Sequence, residues 1–103
     1  MPLHLTENNI YDVLTSSATI DANNANYMVD TTEGAATLTV DSSMTHFTVY
    51  DSHFNFSMNS CTVDFGGGST KVISLDGEIM TFFKDADENW RYISVGVGSG
   101  GPV

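Results

Sequence analysis

The chain has 103 residues, 41% of them hydrophobic, and carries 13 acidic against 3 basic residues, for a formal net charge of −10. This length predicts one domain that is large enough to bury a core without disulfides. The acidity excludes direct nucleic-acid binding and disfavours anionic membrane surfaces, because both depend on clustered Lys and Arg. No stretch approaches the roughly 20 apolar residues of a membrane helix.

Residues 1–9 are predicted to form an N-terminal arm, which has neither the basic start nor the apolar run of a signal peptide. We therefore expect synthesis in a host cytoplasm without secretion. The rest of the chain alternates short apolar or Thr-rich runs with Gly, Asn, Asp and Ser. The predicted strands, in chain order, are Ile10–Leu14, Ala18–Ile20, Tyr27–Asp30, Ala36–Val40, His46–Tyr50, Cys61–Phe65, Lys71–Leu75, Ile79–Lys84 and Trp90–Val95.

The alternation within these runs predicts an all-β fold. Ala36, Leu38 and Val40 should face a core while Thr37 and Thr39 face outward. Eight to nine short strands at this spacing predict a β-sandwich or jelly-roll-like domain over residues 10–95, mostly antiparallel. No internal repeat is evident. The glycine-rich residues 96–103 are expected to form a flexible C-terminal tail.

Two glycine-containing segments separate the later strands. The pair Asp76-Gly77 stands between two apolar runs and predicts a two-residue hairpin, because both residues tolerate positive φ. Gly66-Gly67-Gly68 is expected to be a flexible loop. It lacks the Gly-Lys-Ser/Thr ending and the following helix of a phosphate-binding loop.

The segment Ile79–Val95 is apolar on both faces of both of its strands. On the first strand Ile79 and Phe83 should oppose Phe82 and Met80. Such a hairpin needs cover on both sides, and in a short chain this favours contact with another subunit or a host surface. The predicted subunit or partner interface consists of Tyr50, Phe82, Trp90 and Tyr92. Three of these residues combine apolar area with a polar tip, although packing in the core is an equally good interpretation.

The residue types that carry chemistry give little indication of an active site. Cys61 alternates with apolar neighbours and predicts a small buried residue rather than a nucleophile. Asp85–Asn89 has carboxylates at the spacing of calcium loops, but Trp90 stands where such a loop needs glycine, so a polar turn is favoured.

No enzymatic activity, cofactor or metal is expected. The histidines His4, His46 and His53 lack the spacing of a zinc motif, and His46 is predicted to face outward. Three symmetry-related histidines in a trimer would be another route to a metal site. The sequence also shows no Gly-x-Ser-x-Gly nucleophile signature.

Four segments together resemble a small β-domain that is common in virion proteins of tailed bacteriophages. They are Asn26–Val40, His46–Asp51, Ile79–Phe83 and Asp87–Ile93, the last containing the Trp-Arg-x-Ile strand. The resemblance covers about residues 20 to 95 and implies a trimeric structural module without catalytic residues.

The resemblance implies a function in the virion. A unit that stands almost alone fits a capsid decoration (cement) protein, which would trimerise on the outside of the head and bind the major capsid protein. The alternative is a receptor- or glycan-binding module of a tail fibre or spike, in which exposed Trp and Tyr side chains would stack on sugars. An enzyme or metal protein is the third hypothesis.

Overall fold

The computed structural model describes residues 10–95 and 100–102. Within these residues the secondary structure is entirely β, which confirms the predicted class, and no helix could span a membrane. The strands are β1 (Ile10–Leu14), β2 (Ala18–Ile20), β3 (Ala25–Val29), β4 (Ala36–Val40), β5 (His46–Asp51), β6 (Cys61–Gly66), β7 (Ser69–Ile73), β8 (Ile79–Lys84), β9 (Trp90–Val95) and β10 (Gly100–Pro102). The predicted arm and residues 96–99 lie outside the described residues, whereas residues 100–102 of the predicted tail form a strand.

The strands form two sheets whose apolar faces pack against each other. One sheet has the order β1-β3-β5-β8-β9-β10 and the other has the order β2-β4-β6-β7. From β1 to β6 the chain moves to the opposite sheet at every connection, and neighbours within each sheet pair in parallel. This part of the chain is therefore a short parallel coil. The strands β7 to β10 then close it with antiparallel pairings.

The mixed topology corrects the expectation of a mostly antiparallel fold. Parallel and antiparallel pairings are equally frequent among the described strands, and the coil is not the path of a jelly roll. The coil is also an internal structural repeat, which the sequence did not indicate. Successive turns pair Ile10 with Asn26 and Ala25 with Phe47, at unequal separations along the chain. Unequal turns leave no fixed sequence period to detect.

The core lies between the sheets and follows the predicted alternation. Ala36, Leu38 and Val40 are buried while Thr39 is exposed. Cys61 is buried as predicted. The largest fully buried side chains come from both sheets and the loops, and include Phe47, Phe56, Phe82, Leu38, Met44 and Ile73.

The tight hairpin lies at a different position from the one predicted. Gly67 and Gly68, both with positive φ, join β6 to β7, and Gly66 pairs with Ser69 directly before the turn. Asp76-Gly77 does make a turn, with Gly77 at φ 77°, but the chain there passes from one sheet to the other. Both dipeptides suit positive φ, so turn chemistry alone did not distinguish a hairpin from a crossover.

A buried carboxylate holds together the loops at one end of the sheets. Asp51 is buried and accepts hydrogen bonds from the backbone N–H groups of Asn55, Phe56 and Gly77 at 3.0 to 3.1 Å. The Asp51 N–H donates to the carbonyl of Glu78. These bonds fix the bend at residues 75–78, which leads into β8.

Candidate assembly surface

The inner side of the β8–β9 hairpin is covered by the same chain. Phe82 stacks on Phe47 with ring centroids 5.1 Å apart and also contacts Phe65 at 5.4 Å. Trp90 contacts the same two rings at 5.6 and 4.9 Å. The inner surface of the hairpin is therefore covered by residues of the same chain.

These contacts bear on the predicted interface residues. Phe82 is 0% exposed, so its side chain has no area left for a partner, and its inclusion is corrected. Trp90 and Tyr92 are partly buried against the core at the margin between the sheets. Tyr50 is partly buried on the opposite side of the six-stranded sheet. The prediction that the last three residues contact a partner remains a prediction.

The other side of the six-stranded sheet, here called the outer face, has no second layer formed over it by residues 10–95 and 100–102. Its described side chains alternate with the buried ones along β3, β5, β8 and β9. They are Asn26, Met28, His46, Thr48, Tyr50, Ile79, Thr81, Phe83, Arg91 and Ile93.

One row of side chains on the outer face is apolar or aromatic. Met28, Tyr50 and Ile79 form one continuous row across three strands. The next row pairs Thr48 with Thr81, whose hydroxyl groups are 2.9 Å apart. That row continues to Ile93, which is 53% exposed. When a partner covers such a surface, apolar area is removed from water, which favours association.

The outer face also lacks carboxylates. None of its described side chains is Asp or Glu, although the chain has 13 such residues. The outward face of the four-stranded sheet differs, because it carries Thr19, Thr39, Asp64 and Thr70 in one row. Among the described side chains, the outer face therefore differs from the outward face of the other sheet in carrying no carboxylate, and its one charged side chain is Arg91.

The Asp85–Asn89 segment is a hydrogen-bonded turn. Asp85 Oδ1 accepts the N–H groups of Asp87 and Asn89, and Oδ2 accepts Arg91 at 3.3 Å. The bond from Asn89, then those from Asp87 and Arg91, hold the pKa of Asp85 below its ordinary value. Both oxygens are thus engaged in closing the turn.

The remaining chemical candidates lie apart from one another. Burial, and then the charge of Asp51, raises the pKa of the Cys61 thiol to about 12, which opposes thiolate formation. His46 is exposed on the outer face, and exposed His53 contacts Ser52 and Asp30, while His4 lies outside the described residues. In the described part of the chain no three His, Cys, Asp or Glu side chains are grouped to hold a metal.

Sequence reasoning recognised the hairpin as apolar on both sides and predicted a contact through Phe82, Trp90 and Tyr92. It did not indicate that Ile79 and Phe83 lie on the outer face. Alternation shows which residues share a face, and it does not show which face looks inward. Neither face of the two hairpin strands carries an acidic residue, so charge did not distinguish the faces either.

Comparison of the chain with models of known protein families gives no match, and comparison with curated protein sequences gives none.

Proposed function

We propose that this protein is a non-enzymatic structural protein of a bacteriophage virion. The specific function proposed is that of a capsid decoration protein, which trimerises on the outside of the head and stabilises the shell by binding the major capsid protein. The assignment to a virion is supported by the resemblance of residues 20 to 95 to virion β-domains. Self-association is supported by the outer face, whose described side chains include no carboxylate and several apolar or aromatic groups, and this is the observation that carries the proposal.

The occupant of the outer face is inferred to be a second copy of the chain. Two copies with a formal charge of −10 repel each other over most of their surfaces. The outer face permits close approach because its described side chains bring no carboxylates together. Burying apolar area there contributes roughly 2.5 kcal/mol per 100 Å², which opposes the loss of translational and rotational freedom on association.

The oligomeric state tests this step with a matched pair of variants. Ile93→Glu places a carboxylate on the outer face, whereas Val72→Glu places one on the outward side of the other sheet at similar exposure, 51% against 53%. Sedimentation velocity should show a trimer for the wild type and Val72→Glu, and monomers for Ile93→Glu. A monomeric wild type, or a trimeric Ile93→Glu variant, would contradict the proposal.

The virion assignment has a separate test. The wild-type protein should rebind to capsids that lack it, and mass spectrometry of virions should find it at the high copy number of a head component. A trimer that does not bind capsids and is present in few copies would point to the tail.

The second candidate function is the glycan-binding module of a fibre or spike. It is favoured by a cleft of about 450 Å³ beside Trp90, whose lining includes Phe65, Glu88, Asn89 and Arg91. Aromatic rings next to amide and charged groups suit sugars. A glycan array tests this function, and Trp90→Ala should abolish any signal.

A further inference from the structure

A second cleft lies between β7 of one sheet and β9 of the other, on the opposite side of β9 from the outer face. Its volume is about 200 Å³, which is below the roughly 300–1,000 Å³ of sites for drug-sized ligands. Its lining includes Lys71, Leu75, Glu78, Met80, Tyr92 and Ser94.

The cleft is lined by a largely buried carboxylate that has one hydrogen-bond partner. Glu78 is only 7% exposed, and its Oε2 accepts a hydrogen bond from the Ser94 hydroxyl at 2.6 Å. Within residues 10–95 and 100–102 no other group donates to this carboxylate, and no cation lies within ion-pair distance of it. Burying a carboxylate costs free energy unless it is paired, so the site favours a cation near Glu78.

A positively charged side chain, Lys71, also lines the cleft. The Lys71 ammonium donates to the Tyr92 hydroxyl at 3.3 Å and lies 4.4 Å from the centroid of that ring. An ammonium group has three donors, so Lys71 retains donors that Tyr92 does not use. This wall therefore favours an anion.

The walls are held in place by the fold. Glu78 N–H donates to the Leu75 carbonyl at 3.2 Å, and Gly77 N–H donates to buried Asp51 at 3.0 Å. Met80 is buried and supplies an apolar floor. The two charges are thus carried by separate, fixed elements, which lowers the ordering cost of binding.

We propose that this cleft binds a small zwitterion with the chemistry of a free amino acid. The ligand's ammonium group pairs with Glu78, and its carboxylate pairs with Lys71. A ligand with either charge alone satisfies one wall and leaves the other without a partner. The site lies apart from the outer face, because its residues face the inner margin of the sheets.

The experiment is an NMR titration of the ¹⁵N-labelled full chain with L-alanine, L-serine and β-alanine at millimolar concentrations. Propylamine and propionate serve as ligands with a single charge. The zwitterions should shift the amide signals of residues 71–80 and 92–94 with saturation, and the single-charge ligands should bind at least tenfold more weakly. Equal binding of propylamine, or no saturable shift with any zwitterion, would overturn the proposal.

Amino-acid substitutions test whether binding depends on the charges of Glu78 and Lys71. Glu78→Gln retains an acceptor for Ser94 but loses the charge, so binding should fall at least tenfold, as it should in Lys71→Met. Glu33→Gln removes a charge from an exposed loop and should bind like the wild type. If Glu78→Gln does not fold, the comparison of single-charge and zwitterionic ligands on the wild type still decides the outcome.

Discussion

A buried hydroxyl without a partner provides a quantitative test of the packing. Thr31 is 0% exposed, and its Oγ1 is the one buried side-chain polar atom in the described part of the chain that has no hydrogen bond. An unsatisfied buried hydroxyl costs about 1–3 kcal/mol. Thr31→Val removes it while keeping the β-branched shape. The backbone carbonyl of Thr31 still accepts the side-chain amides of Asn55 and Asn59.

We therefore expect Thr31→Val to increase the free energy of unfolding by about 1–2 kcal/mol. The matched control is Thr48→Val, because the Thr48 hydroxyl is hydrogen-bonded to Thr81 and that substitution should destabilise by about 0.5–1.5 kcal/mol. Urea unfolding of both variants, with unchanged m-values, measures the difference. The reasoning is refuted if Thr31→Val is no more stable than the wild type, or if both substitutions shift stability in the same direction.

Two further predictions follow from titratable groups. The pKa of Asp85 is lowered in the folded protein, so its charged form stabilises the fold above the ordinary value of 3.8, and this contribution is lost as the pH falls through the lower folded pKa. Thermal unfolding should therefore show a constant stability difference between the wild type and Asp85→Asn at neutral pH, and this difference should disappear below about pH 4. A difference that increases on acidification would contradict the expected direction. Cys61, with its pKa raised to about 12, should resist alkylation by iodoacetamide at pH 8 in native protein and react only after unfolding, and rapid native labelling would show that the thiol is not buried.

The sequence predicts the strands well because alternation is a local property. The predicted bounds of β1, β2, β4, β8 and β9 agree with the structure, and the inward residues of β4 are the expected ones. The pairing of strands is not local. The parallel coil depends on contacts between residues as distant as Ala36 and Cys61, and no short motif marks them.

The candidate surface was predictable only in part, for the same reason. Apolar residues on both faces of Ile79–Val95 indicated a need for cover on both sides. The choice of face required knowledge that Phe47 and Phe65 pack against Phe82 from elsewhere in the chain. Tyr50 was predicted as a contact residue and its neighbour Met28 was not, because the parallel pairing that brings the two together was unknown.

The positions of the acidic residues allow self-association to be distinguished experimentally from binding to a basic partner. Several carboxylates have a local structural function, since each accepts the backbone N–H of the residue two positions later and so closes a turn: Asp30, Asp41, Asp64 and Asp85. The acidity at the ends of the strands thus needs no basic partner to explain it.

Copies that meet through the outer face still repel through these distant charges, and added salt screens that repulsion. The proposed trimer should therefore dissociate less as the salt concentration rises, whereas attachment through charge attraction to a basic capsid surface would weaken. Sedimentation velocity and capsid rebinding over the same salt series measure the two trends, and a trimer that dissociates with salt would show that charge attraction rather than the apolar face holds the copies together.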